Sequence, residues 1–150
     1  MRLLDARRGG LDERALREWA RELTDAAGAP YSSRSYRFLY SFIAWHRQRV
    51  GVDIERIEPL DEAFLDSIST PTERRRSVDE SETATYATSL WCSKEALAKA
   101  LGDALGYDAR RLDSPMFWPA GESGPWRALA LPAPIGHTAW LCLRDEGETR

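Results

Sequence analysis

Arg49-Val50-Gly51-Val52-Asp53-Ile54-Glu55-Arg56 reads as a β-strand. Its apolar residues alternate with Gly51, Asp53 and Glu55, and side chains at i and i+2 leave a strand on one face, roughly 7 Å apart. Asp53 and Glu55 therefore leave the sheet together, while Ile54 points into a core. About forty positions later, Trp91-Cys92-Ser93-Lys94-Glu95-Ala96-Leu97-Ala98-Lys99 reads as helix, with Trp91, Glu95 and Lys99 one turn apart on one stripe. Two carboxylates from a strand and one from a helix suit a hard cation. Mg²⁺ takes oxygen ligands at about 2.0–2.1 Å and keeps positions for water and phosphate. Lys94 and Lys99, beside Glu95, would then meet phosphate groups. The same residues also suit a solvated strand face and an ordinary surface Glu–Lys pair.

The flanking sequence extends this core. Leu11 to Ala27 has an apolar stripe of Leu16, Trp19, Ala20 and Leu23 behind a capping Asp12, and ends at Gly28 and Pro30. Ser32 to Ser35 reads as a polar loop. Tyr36 to Trp45 reads as one central strand, apolar on both faces, which turns at His46–Arg49 and pairs antiparallel with Val50–Glu55. Asp61 caps a short helix carrying Phe64, Leu65 and Ile68, and Pro71 opens another. Arg74-Arg75-Arg76 reads as a solvated basic run. The longest helix starts at a cap on Asp79 or Ser81, runs to about Leu101 and closes at Gly102. Gly106-Tyr107-Asp108 is a turn, residues 112–118 an edge strand broken by Pro115, and Gly121–Gly124 a loop. Trp126–Leu131 and His137–Leu143 form a hairpin. Residues 1–10 read as a flexible arm and residues 144–150 as a frayed tail. The order implies one α+β domain over residues 1–150, with an antiparallel sheet packed on one long helix.

At 150 residues the chain can bury one core. A net charge of −3 gives no general attraction to nucleic acid or anionic membrane, and no apolar run is long enough to span a bilayer. The N-terminus lacks the apolar stretch of a signal peptide, so Cys92 and Cys142 read as reduced, packed thiols of a cytoplasmic protein. His46 and His137 read as surface or loop residues.

Gly51-Val52-Asp53-Ile54-Glu55, followed by Trp91-x-x-Lys94-Glu95-Ala96-x-x-Lys99, resembles the two-motif signature of 4′-phosphopantetheinyl transferases, most closely the surfactin-synthetase-activating type. The resemblance implies a single lobe of that fold and Mg²⁺-dependent transfer of the 4′-phosphopantetheine arm of coenzyme A to a serine of an acyl, polyketide or peptidyl carrier protein. It implies that Asp53, Glu55 and Glu95 hold Mg²⁺ and that Lys94 and Lys99 contact the coenzyme A phosphates. The expected catalytic residues are Glu95, Lys99 and Lys94, with Glu95, or a water that it orients, taking the serine proton. Two departures stand out. Where the family carries Ser-His-Ser, this chain has Ser35-Tyr36-Arg37, so Tyr36 replaces the histidine expected at the coenzyme A 3′-phosphate and Arg34 is the neighbour with the reach to take over. Residues 1–35 are too few for the second lobe of this type, and single-lobe members build their sites between protomers, which implies self-association. The departures leave a second reading, a non-catalytic protein that binds coenzyme A or a carrier protein.

Overall fold

Val52 and Ile54 are fully buried, and the strand that carries them, β4 (Val50–Arg56), lies between two apolar layers in this computed structural model, which describes residues 1–76 and 82–145. The other elements are β1 (Arg2–Asp5), α1 (Glu13–Ala26), β2 (Tyr31–Arg37), β3 (Tyr40–His46), α2 (Glu62–Ile68), α3 (Pro71–Arg74), α4 (Thr83–Leu101), β5 (Glu122–Ser123), β6 (Trp126–Leu131) and β7 (His137–Arg144). They build two antiparallel sheets, ordered β4-β7-β6-β5 and β1-β3-β2. The larger sheet packs one face on α4 through Ala128 and Cys142, which meet Ala96, Leu97 and Ala100. Its other face meets Phe42 and Ala44 of β3 through Val50, Val52, Ile54, Ala139 and Leu141. Behind β3, Leu4, Ala6 and Ile43 bury Leu16 and Ala20 of α1. The layers therefore run α4, large sheet, small sheet, α1. This is the α+β class expected, with the sheet on one long helix and a second, smaller sheet added.

Five local readings change, the smallest being the loop expected at Gly121–Gly124, where Glu122 and Ser123 form β5 and pair with β6. Residues 2–5 are not an arm: β1 pairs with β3 from Arg2↔Ile43 to Asp5↔Tyr40, and Leu4 is buried. Four residues are too few to show a strand period among charged neighbours. The stretch 31–46 is a hairpin rather than a loop and one long strand. The chain reverses at Phe38 and Leu39, which carry no Gly, Pro or Asn signal, and Tyr31↔His46 to Arg37↔Tyr40 pair. The partner of β4 is β7, from Val50↔Leu143 to Arg56↔His137. Residues 112–118 form no strand; Pro115 and Pro119 lack ladder donors and open tight 3₁₀ turns at Pro115–Phe117 and Pro119–Gly121, and a further 3₁₀ turn at Ala109–Arg111 precedes them.

The helix readings carry over. Asp12 Oδ1 accepts from Ala15 N at 2.8 Å to cap α1. Thr70 and Glu73 form a capping box on α3 behind Pro71. Gly102, at φ 86°, closes α4. The cap expected at Asp79 or Ser81 and most of the C-terminal tail lie outside the described residues. Cys92 and Cys142 are buried and free. Among the described residues no helix is long and apolar enough to cross a membrane.

Candidate active site

Gly51 sets the distance between β4 and α4. A Cβ there would stand 2.0 Å from the Ala96 carbonyl oxygen and 2.5 Å from Ala100 N, so only glycine lets the helix settle this close. Asp53 and Glu55 follow on the same strand face, and Asp53 comes to lie against Lys99 of α4, with its charge felt by both Glu55 and Glu95. Lys99 Nζ donates to Asp53 Oδ1 at 2.7 Å and to the Val52 carbonyl at 3.2 Å. The opposite edge of β4 meets β2 through side chains. Ser33 Oγ accepts from Val52 N at 3.0 Å, and Ser35 Oγ accepts from Ile54 N at 3.2 Å while donating to Asp53 Oδ1 at 2.7 Å. Serine hydroxyls thus stand in for the carbonyls of a neighbouring strand.

Each carboxylate has its own donor. Asp53 is buried, and its Oδ2 has no hydrogen-bond partner among the described residues. The adjacent Cys92 thiol lies 3.6 Å from the Thr138 carbonyl, and burial first, then Asp53 beside it, push that thiol well above its ordinary pKa. Glu55 Oε2 accepts from Arg37 Nε. Burial first, and then the Asp53 charge, push Glu55 up to about 7 against the opposing pull of Arg37 and Trp91. Glu95 Oε1 accepts from the Tyr107 hydroxyl at 2.6 Å. Burial raises Glu95 above the usual carboxylate range, Tyr107 opposes the shift and Asp53 adds to it. Burial, and then Glu95, raise Tyr107 in turn, so it stays a donor. Its ring stacks on Trp91 at 6.4 Å between centroids. Among the described residues no group of three or more His, Cys, Asp or Glu is arranged to hold a metal ion.

Two expected site residues point elsewhere. Lys94 is fully buried, and its Nζ donates to the Ile68 carbonyl at 2.6 Å, Glu73 Oε2 at 2.6 Å and the Ala109 carbonyl at 2.7 Å. All three ammonium donors are used, and burial lowers the lysine's pKa. The reason is helical geometry: neighbouring residues are about 100° apart, so Lys94 cannot share the face of Glu95 and Lys99. Tyr36 lies on the far side of β2, under the Arg17 guanidinium at 4.4 Å and packed with the α1 cluster. Arg34 belongs to β2 rather than a loop, and its Nη1 donates to Thr24 Oγ1 of α1 at 2.6 Å. It also lines, with Ser32, Ser33 and Lys99, a cavity of about 420 Å³ against the turn from Gly102 to Gly106. Three contributors escaped the sequence reading: Ser35, Arg37 and Tyr107. The alternation Ser33, Ser35, Arg37 would have revealed the first two, once β2 was recognised as a strand.

Arg37 and Glu55 border a second groove, of about 530 Å³, with Phe38, Leu60, Phe64 and Trp91. His46 accepts from Gln48 N at 3.1 Å, and His137 meets Tyr40 edge-on at 5.0 Å; neither reaches the carboxylates. A search of curated proteins finds no match. The sequence pattern of the 4′-phosphopantetheinyl transferase superfamily matches residues 49–123, which run from the turn before β4 to the end of β5 and contain Asp53, Glu55, Lys94, Glu95 and Lys99. That segment is half of the chain and holds the strand and helix whose crossing gathers the carboxylates, and the chain belongs to this superfamily.

Proposed function

We propose that the protein transfers the 4′-phosphopantetheine arm of coenzyme A to a serine of an acyl, polyketide or peptidyl carrier protein in a Mg²⁺-dependent reaction. The observation behind this reading is the Asp53–Lys99 ion pair where β4 crosses α4, with Glu55 and Glu95 both near enough to feel the Asp53 charge, inside the segment that matches the superfamily. The donor set suits Mg²⁺. All three acids offer hard oxygens, Asp53 Oδ2 is buried without a partner, and the Asp53 charge raises both Glu55 and Glu95. A divalent cation held between the three acids would relieve these strains.

Bound between Asp53, Glu55 and Glu95, Mg²⁺ would neutralise charge on the diphosphate. The rest is the work of side chains. The serine oxygen bonds to the β-phosphorus, the bond to the adenosine 3′,5′-bisphosphate oxygen breaks, and the serine proton needs an acceptor. Glu95 suits that role, because burial raises its proton affinity and Tyr107 fixes one of its oxygens. Lys99, already 2.7 Å from Asp53, offsets charge on the phosphate oxygens. Arg34 shares the cavity of about 420 Å³ with Lys99 and is the group for the 3′-phosphate. Lys94 and Tyr36 take no part.

In this reading the chain acts as one domain in the cytoplasm. Self-association belongs to the same reading, and light scattering that shows a fully active monomer removes it. The test of function is mass spectrometry of a panel of apo carrier proteins incubated with coenzyme A, with and without Mg²⁺. A gain of one phosphopantetheine on any carrier, only with the metal, is expected; no gain on any carrier rejects the proposal. The second reading, a non-catalytic coenzyme A or carrier-protein binder, is favoured by one observation, the absence of Lys94 and Tyr36 from the site. Calorimetry showing coenzyme A binding indifferent to Mg²⁺, without turnover, selects it.

A further inference from the structure

Arg37 belongs to neither sequence motif, yet it holds one of the three carboxylates. It ends β2, and strand alternation turns it with Ser33 and Ser35 toward β4. Its Nε donates to Glu55, and the guanidinium has no other hydrogen-bond partner among the described residues. The two ends of this pair are unequal: the Glu55 side chain is 11% exposed and that of Arg37 50%. Burial fixes the carboxylate, while the guanidinium stands at the mouth of the groove it shares with Phe38, Phe64 and Trp91. Lys99 is held more firmly, since the Val52 carbonyl binds it as well as Asp53.

Three carboxylates face two side-chain cations here. Arg37 sets a positive charge directly on the Glu55 carboxylate, so it already supplies part of the charge that a metal ion would bring. A divalent ion and a guanidinium repel at the same carboxylate. A guanidinium fork also matches phosphate oxygens, with two parallel donors. We propose that Arg37 is a resident counter-ion, displaced from Glu55 by the incoming divalent cation and then free to bind a phosphate of the diphosphate-bearing substrate. The proposal rests on the reading of Asp53, Glu55 and Glu95 as the residues that hold that cation.

Calorimetric titration of Mg²⁺ alone, and of coenzyme A at saturating Mg²⁺, into the wild type, Arg37→Gln and Arg37→Lys tests it. Without coenzyme A, Arg37→Gln is expected to bind Mg²⁺ about threefold to tenfold more tightly, since no counter-ion has to leave. With Mg²⁺ present the same variant binds coenzyme A about tenfold more weakly. Arg37→Lys keeps the charge and loses the fork, so its Mg²⁺ affinity stays near that of the wild type while coenzyme A binding weakens. A purely structural arginine would weaken both ligands together, and that result, or an unchanged affinity for either ligand in Arg37→Gln, overturns the proposal. Carrier modification is scored separately by mass. An inactive wild type with both opposite-signed shifts intact refutes the transferase reading and leaves the displacement standing. An active wild type without them refutes the displacement alone.

Discussion

Asp53 is the most constrained residue of the site. It takes Lys99 and Ser35 on one oxygen and nothing on the other, while its charge raises Glu55 and Glu95. Asp53→Ala and Glu95→Ala are each expected to lower kcat/KM for carrier modification at least about a hundredfold. Thermal unfolding should still show a folded chain, and full activity in either variant rejects the metal assignment. Tyr107 acts through Glu95. Tyr107→Phe keeps the ring stacked on Trp91 and deletes only the hydroxyl. It should lower kcat about tenfold with KM for coenzyme A unchanged, and shift Tm by no more than about 4 °C. An equal loss in a Tyr107→Ala variant and none in Tyr107→Phe would make the ring, not the hydroxyl, the relevant part.

At the scale of elements, two contacts fix α4 beyond its apolar packing on the large sheet. The first is the Gly51 crossing. Gly51→Ala puts a methyl into backbone atoms that cannot move aside, and denaturant titration should show a loss of at least about 3 kcal/mol. Wild-type stability in that variant would mean that α4 sits farther from β4. The second is Lys94, which ties α4 to α2, to α3 and to the turn at Ala109. Glu73 completes the knot by accepting from Thr70 N and Ser114 N, each at 2.8 Å. Lys94→Met strands a buried carboxylate and should cost about 3–5 kcal/mol, much of it recovered by adding Glu73→Gln. A Lys94→Met variant that is stable but loses coenzyme A binding would return the lysine to the site.

For the whole molecule, the N-terminal segment belongs to the body of the fold. Leu4 and Ala6 are each 1% exposed inside the cluster under α1, and β1 completes the small sheet. Removing residues 1–10 should lower Tm by at least about 5 °C in calorimetry. An unchanged Tm would restore the flexible arm. The layered order places α1 and α4 on opposite outer faces, and β2, at the rim of the small sheet, reaches across to the free edge of β4. That crossing brings Ser35 and Arg37, from a different sheet, to the carboxylates.

Local order decided much of this in advance. The strand at 50–56, the helix ending at Gly102, the caps at Asp12 and Asp61, the Pro71 start and the 126–143 hairpin are all periodic or punctuated, and such signals act between residues a few positions apart. The meeting of Asp53 with Lys99 was legible for the same reason, because each motif sets its charged residues on one face of its element. Which strand pairs with β4, where the Tyr36–Trp45 stretch folds back and which lysine faces the acids were settled by tertiary structure. An apolar strand buried on both sides carries no mark of its partner, and Phe38 and Leu39 carry no turn signal. The direction of Lys94 follows from its 100° offset from Glu95, but only the approach of α2 and α3 gave that direction a buried Glu73 to meet.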